Sequence, residues 1–206
     1  VTSGALTGND HGTGLTVVSV TDGKNGTATR NDDGTITYTP KDGFSGTDTV
    51  TYTVTDPSGA TNAGTVTVTV TPVAGGGSTS AEADATTTVP AGTGLLDGAK
   101  GTDLAVTDHT KPSHGDVTVD EDGSYTYKPE PGYSGPDEFD YTVTDGSGGT
   151  TTGTVTIVVA PKAAADTATT SAATPVDVAV TGNDSGTELA VTAVSKPGHG
   201  TATITG

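Results

Sequence analysis

The chain has 206 residues, a formal net charge of −17, and no Cys, Met or Trp. That charge argues against nucleic acid and anionic membrane surfaces as partners, and the missing Cys rules out a disulfide-stapled scaffold or cysteine metal sites. Only 30% of the residues are hydrophobic, but they alternate strictly with Thr, which is the pattern of half-buried strands and not of disorder.

In chain order, Ile36 and Tyr38 alternate with Thr35, Thr37 and Thr39. Val50, Tyr52 and Val54 alternate with Thr49, Thr51, Thr53 and Thr55, and Val66, Val68 and Val70 with Thr65, Thr67 and Thr69. Thr on the wet face keeps strand propensity without adding apolar surface. The whole pattern then returns. Leu15 is answered by Leu104, an offset of 89 that holds without a gap to Val70 and Val159. A third copy starts with Leu189 answering Leu104, an offset of 85. A repeat of this length is a whole domain. Tandem modules are therefore predicted at 1–73, 84–160 and 166–206, joined by a Gly/Ser-rich linker at 74–83 and a short Ala-rich one at 161–165. Only the second copy is complete, so the chain reads as an excerpt of a longer polypeptide. In it we expect seven strands, A to G, near 85–89, 93–96, 104–107, 116–119, 124–128, 138–144 and 151–159. Turn residues separate them at the spacing of a Greek-key β-sandwich.

Several short motifs carry a resemblance. Gly182-Asn183-Asp184 precedes a strand and Lys196-Pro197-Gly198-His199-Gly200-Thr201 follows it. Asp33-Gly34-Thr35-Ile36-Thr37-Tyr38-Thr39-Pro40 matches Asp122-Gly123-Ser124-Tyr125-Thr126-Tyr127-Lys128-Pro129. Gly43-Phe44-Ser45-Gly46 matches Gly132-Tyr133-Ser134-Gly135, and Tyr52-Thr53-Val54-Thr55-Asp56 matches Tyr141-Thr142-Val143-Thr144-Asp145. The chain resembles the bacterial Ig-like, cadherin-like tandem repeats of large surface adhesins. The resemblance implies an all-β fold of tandem seven-stranded sandwiches at the bacterial cell surface. It also implies Ca²⁺ at module junctions in some relatives.

If the strands alternate in direction, the B–C, D–E and F–G turns share one pole. That pole collects Asp84 and Asp145 in module 2 and Asp166, Asn183, Asp184 and Glu188 in module 3, the candidate Ca²⁺ ligands. Ca²⁺ takes six to eight oxygens, which clustered carboxylates supply. Against this, the run after each Asn-Asp position is poor in acids: His11-Gly12-Thr13-Gly14, Lys100-Gly101-Thr102-Asp103 and Ser185-Gly186-Thr187-Glu188. Asp-Gly pairs also serve ordinary tight turns. The opposite pole carries Lys111, His114 and Lys128 as candidate junction contacts, a basic tail that would meet an acidic head.

Phe44 and Tyr133 are expected to plug the end of the fold, and Tyr38, Tyr52, Tyr127 and Tyr141 to be core residues with the hydroxyl at the rim. Asp48 and Asp137 are expected to accept backbone N–H groups. No nucleophile elbow is present, so catalysis is not expected. The reading is a stalk or fibre segment that meets neighbouring modules of its own chain and identical chains in a fibre. The alternatives are a filament subunit completed by strand donation, and a calcium-dependent module binding an unknown glycan or protein ligand.

Overall fold

Alternating apolar residues need a partner sheet, and in the computed structural model, described here for residues 6–205, they have one. Module 1 contributes β1 (Thr16–Val20), β2 (Gly26–Arg30), β3 (Ile36–Pro40), β4 (Gly46–Thr55) and β5 (Thr61–Val70). Module 2 contributes β6 (Gly77–Glu82), β7 (Thr87–Val89), β8 (Ala105–His109), β9 (Gly115–Val119), β10 (Tyr125–Pro129), β11 (Gly135–Thr144) and β12 (Thr150–Ala160). The sheet orders are β1-β4-β5 with β2-β3 in module 1, and β6-β12-β11-β8 with β7-β10-β9 in module 2. Apart from two short 3-10 turns, the described elements are all β-strands.

The strand count in module 2 agrees with the sequence reading, but its first two assignments slip. The segment expected to be a flexible linker, 74–83, holds β6, which runs parallel to β12 from Val155↔Gly77 to Ala160↔Glu82. Strand A is therefore β6. The expected strand A, at 85–89, is the second strand, β7, paired with β10. The expected strand B, at 93–96, starts in a 3-10 turn, Ala91–Thr93. Gly and Ser have weak strand propensity, and here the edge of β12 supplies the ladder that propensity does not. In module 3 no strand is present among the described residues 161–205. The segments that would pair there, the counterparts of β10–β12, are not among these 206 residues.

The chain is divided between two compact units. One gathers the residues up to Gly76 with Leu95–Asp108 and Tyr141–Gly153, and the other Gly77–Gly94, His109–Asp140 and the residues from Thr154 on. In the first, Leu6, Val17, Ile36, Tyr38, Val50, Tyr52 and Val54 form the core. In the second, Tyr125 of β10 meets Phe139 of β11 edge-on, with ring centroids 5.5 Å apart.

Each unit holds the same buried polar lock. Asp48, 4% exposed, accepts the N–H groups of Lys24 (3.1 Å), Asn25 (2.7 Å) and Thr49 (2.9 Å) and the hydroxyl of Tyr38 (2.7 Å). Asp137 accepts those of Ser113 (3.0 Å), His114 (3.1 Å) and Glu138 (3.0 Å) and the hydroxyl of Tyr127 (2.8 Å). The hydroxyls of Tyr38 and Tyr127 thus point into the fold and not to its rim, because a buried carboxylate receives them. Burial alone would raise the Asp48 carboxyl, but these donors outweigh it and hold its pKa below the ordinary 3.8. The Tyr38 phenol is pushed up to about 12, by burial first and then by Asp48.

Removing either carboxylate strands several buried N–H groups, each worth roughly 1–3 kcal/mol. Asp48→Ala and Asp137→Ala should each cost about 3 kcal/mol in urea unfolding, read on the transition of the affected module. Because the folded pKa of Asp48 is depressed, its stabilisation is complete above the unfolded value of 3.8 and is lost as pH falls through the lower folded value. The stability gap between wild type and Asp48→Asn should therefore be constant from pH 7 to about 5 and narrow below about 4.

Candidate functional site: the module joints

The loop ahead of each buried aspartate, Gly-aromatic-Ser-Gly, faces the next module. In the first unit the Ser45 N–H donates to Thr102 Oγ1 (3.2 Å), and the Thr102 N–H donates back to Ser45 Oγ (3.0 Å). In the second unit the Ser134 N–H donates to Thr187 Oγ1 (3.2 Å), and the Thr187 N–H to Ser134 Oγ (2.8 Å). A backbone pair accompanies each exchange. Val73 and Lys100 trade N–H···O bonds of 2.8 and 2.9 Å, and Lys162 and Ser185 trade two of 2.8 Å. Both joints therefore carry the same four hydrogen bonds, formed by residues related by the repeat offsets. The longer first linker does not change the joint.

Glycine sits under each clasp because nothing larger fits. A Cβ on Gly101 would lie 2.5 Å from Leu104 Cδ2, 2.8 Å from Ser45 Oγ and 3.1 Å from Pro72 Cβ. On Gly186 it would lie 2.5 Å from Leu189 Cδ2 and 2.9 Å from both Pro161 Cβ and Ser134 Oγ. Asp103 (φ 49°) and Glu188 (φ 51°) close the two turns in the left-handed region, and Gly14 (φ 64°) holds that position in module 1.

The candidate ligands can now be placed. Asp145 is buried, and its Oδ1 accepts the N–H groups of Ser147 (2.9 Å) and Gly149 (2.8 Å). Burial would raise its pKa, but the Ser45 hydroxyl and the turn N–H groups of Gly149, Ser147 and Gly148 hold it below the ordinary value. Asp84 accepts the Gly132 N–H at 2.9 Å and the Ser185 hydroxyl. It lies beside the E–F loop, at the pole opposite to the expected one, because the strand slip puts it after strand A instead of before it. Asp184 accepts the Ala164 N–H at 2.7 Å, and Asn183 donates to the Ala165 carbonyl at 3.2 Å. Asp166 and Glu188 are exposed.

Among the described residues no three Asp, Glu, His or Cys side chains converge on a common point. Asp145 Oδ1, Asp84 and Asp184 accept protein donors, and Asp145 Oδ2 is a single buried oxygen with no hydrogen-bond partner. This set does not fit a Ca²⁺ ion, which needs six to eight oxygens.

Of the candidate junction contacts, Lys111 pairs with Asp116 of its own module at 3.0 Å, and His114 stacks on Tyr133 at 4.2 Å. Lys128 lies exposed on β10, opposite Asp116 in register. The ion pair at the first joint runs the other way from the expected one. Lys100, on the head of module 2, meets Asp42, on the tail of module 1, at 2.7 Å. Both side chains are largely exposed, so solvent screening leaves the pair little to contribute.

A model described as "Bacterial Ig domain" matches residues 1–69 and 70–158. The chain belongs to this bacterial Ig domain family. No curated protein matches it. Solved structures similar to it include an endo-fucoidan hydrolase, MfFcnA9 from glycoside hydrolase family 107, at 18% identity and TM-score 0.28, with 71% of this chain and 28% of that chain covered. The extracellular cadherin domains 1–5 of protocadherin gamma B2 match at 12% identity and TM-score 0.30, covering 72% and 34%. The human desmocollin-1 ectodomain matches at 13% and 0.26, covering 73% and 36%. The chain thus spans about a third or less of these structures, and the family assignment rests on the sequence match.

In the sequence alone, Gly101-Thr102 and Gly186-Thr187 stand out only as part of a weakened acidic run. Their recurrence at both offsets was the available signal. Ser134→Ala removes one acceptor worth about 1 kcal/mol. Amide exchange at Thr187 should quicken about fivefold to tenfold while the unfolding of modules 1 and 2 stays within about 0.5 kcal/mol of wild type.

Proposed function

We propose that the chain is a stalk or fibre segment of a bacterial extracellular surface protein, and that its work is mechanical. The carrying observation is the joint. The same Ser–Thr exchange and the same backbone pair recur at two successive module boundaries, as expected when selection acts on how modules connect. The family supports an adhesion or structural role, and the net charge of −17 keeps such a chain soluble and self-repelling. No helix among the described residues is long and apolar enough to cross a membrane. The joint partners are neighbouring modules of the same polypeptide, and the connection is made by protein groups in place of a bound cation.

A filament completed by strand donation has one observation in its favour. Val176, Val178 and Val180 alternate along module 3 and are 47%, 41% and 37% exposed, a strand-ready edge without a strand. Sedimentation distinguishes the readings: a stalk segment stays monomeric up to about 100 μM, whereas strand donation gives concentration-dependent oligomers.

Calcium separates a protein-closed joint from a cation-closed one. We expect Thr102 and Thr187 amide protection, and the melting temperature, to be the same in EGTA and in millimolar Ca²⁺. A melting temperature that climbs with free Ca²⁺, and a climb abolished by Asp145→Ala or Asp184→Ala, would replace the hydrogen-bonded joint with a calcium-rigidified one.

A further inference from the structure

The segment 74–83 has the composition of a flexible linker, yet Gly77–Glu82 is the strand β6. Its ladder with β12 runs from Val155↔Gly77 to Ala160↔Glu82, and the Ala83 N–H extends it to the Ala160 carbonyl at 2.9 Å. Thr79 Oγ1 shares a hydrogen bond of 2.5 Å with the hydroxyl of Tyr125, on β10 of the other sheet. The side chains of β6 bring little else. Gly77, Ser78, Ser80 and Glu82 are exposed, and the buried residues are small, Ala81 and the following Ala83. The large buried side chains Tyr125, Tyr127, Phe139, Ile157 and Val159 belong to β10, β11 and β12. β6 also lies at the edge of its sheet, whereas β12 lies between β6 and β11. Losing β6 therefore breaks one ladder and uncovers alanines, a far smaller opening than unfolding the module.

Direction decides what tension does to this strand. The chain enters β6 at Gly77 and leaves β12 at Ala160. The two strands are parallel, so those residues stand at opposite ends of the ladder. A pull along the chain slides β6 along β12. Just beyond β6 the chain is fastened separately. Asp84 has a left-handed backbone (φ 57°), uncommon outside glycine. Its carboxylate accepts the Gly132 N–H at 2.9 Å and the Ser185 hydroxyl. β7 then starts at Thr87, paired with Tyr127 of β10.

We propose that β6 is a releasable strand. Under tension Gly77–Ala83 leaves β12 while the rest of module 2 stays folded. The Thr79–Tyr125 hydrogen bond is the pin, and Asp84 is the stop. At rest the segment is a strand, and under tension it becomes the linker that its composition describes. Release lengthens the tether by roughly 10 Å, the reach of the extended segment less the length its ladder already spans. The release rests on this geometry, and its use as give in a stalk rests on the mechanical reading above.

The test is single-molecule extension of the whole chain between terminal handles. The chain has no Cys. Ser78→Cys with Thr156→Cys, at exposed register partners, therefore gives one disulfide that ties β6 to β12. Reduced, this variant should show an early step of roughly 10 Å ahead of the full unfolding of module 2. Oxidised, it shields residues 78–156 from tension, so both the early step and that unfolding should vanish while the joints still open. If oxidation removes the full unfolding and no earlier step, the proposal is overturned. Tyr125→Phe and Thr79→Val each remove the pin. Each should quicken the early step about fivefold at fixed force and change the rate of full unfolding less than about twofold. An early step that neither substitution quickens overturns the pin. None of these outcomes touches the stalk reading, which sedimentation decides.

Discussion

Everything at the joints depends on a buried carboxylate. Asp48 and Asp137 each take three backbone N–H groups and one phenol out of the unsatisfied state. Without them the turn ahead of β2 or β9, the start of β4 or β11, and the tyrosine of β3 or β10 would each hold buried polar atoms without partners, which costs more than the hydrogen bonds themselves contribute. Three elements distant in sequence are thereby tied at one point. That point is three residues after Ser45 and Ser134. The loop that reaches the next module is thus anchored directly to the core, and its serine is presented by rigid structure.

Lean composition explains why the lock is polar. With 30% hydrophobic residues, a module of this size buries little apolar area and has little stability to spare. A multiply bonded carboxylate fixes geometry that a larger core would fix by packing. Glycine opposite tyrosine serves the same end. A Cβ on Gly64 would lie 2.4 Å from the Tyr52 ring, and one on Gly153 2.6 Å from the Tyr141 ring. The end of each tyrosine ring packs against a glycine, where a side chain would not fit.

Much of the fold was legible in the sequence, because alternation and long repeats report directly on strands and modules. The inward positions of Ile36, Tyr38, Val50, Tyr52 and Val54 follow from parity alone. Strand A was not legible. Gly77-Ser78-Thr79-Ser80 has the composition of a linker, and only the parallel edge of β12 makes it a strand. That one slip carried Asp84 to the wrong pole, since pole assignment depends on counting strands. The acidic residues were easy to see, but their role was not legible. Carboxylate density marks turns as readily as metal sites, and what separates them is convergence, which has no signature in one dimension. The Ser–Thr exchange was hidden for the opposite reason. Small neutral residues attract no notice until two copies place the same pair together.

The chemistry of the joint sets how it yields. Four hydrogen bonds at about 1 kcal/mol each, between groups already held close by a tether, make a connection worth a few kcal/mol. That is below the stability of an ordinary folded domain. Under load the joints should open before the modules do, and reclose quickly because the tether keeps the effective concentration high. These four bonds join neutral groups and are nearly independent of salt, whereas the exposed Lys100–Asp42 pair beside the first joint is one that screening weakens. A cation-closed joint would be stiffer but would depend on the supply of the ion. In a chain with 25 Asp and Glu against 8 Lys and Arg, placing serine and threonine at the contact keeps like charges from facing one another at close range, and that lets successive modules meet.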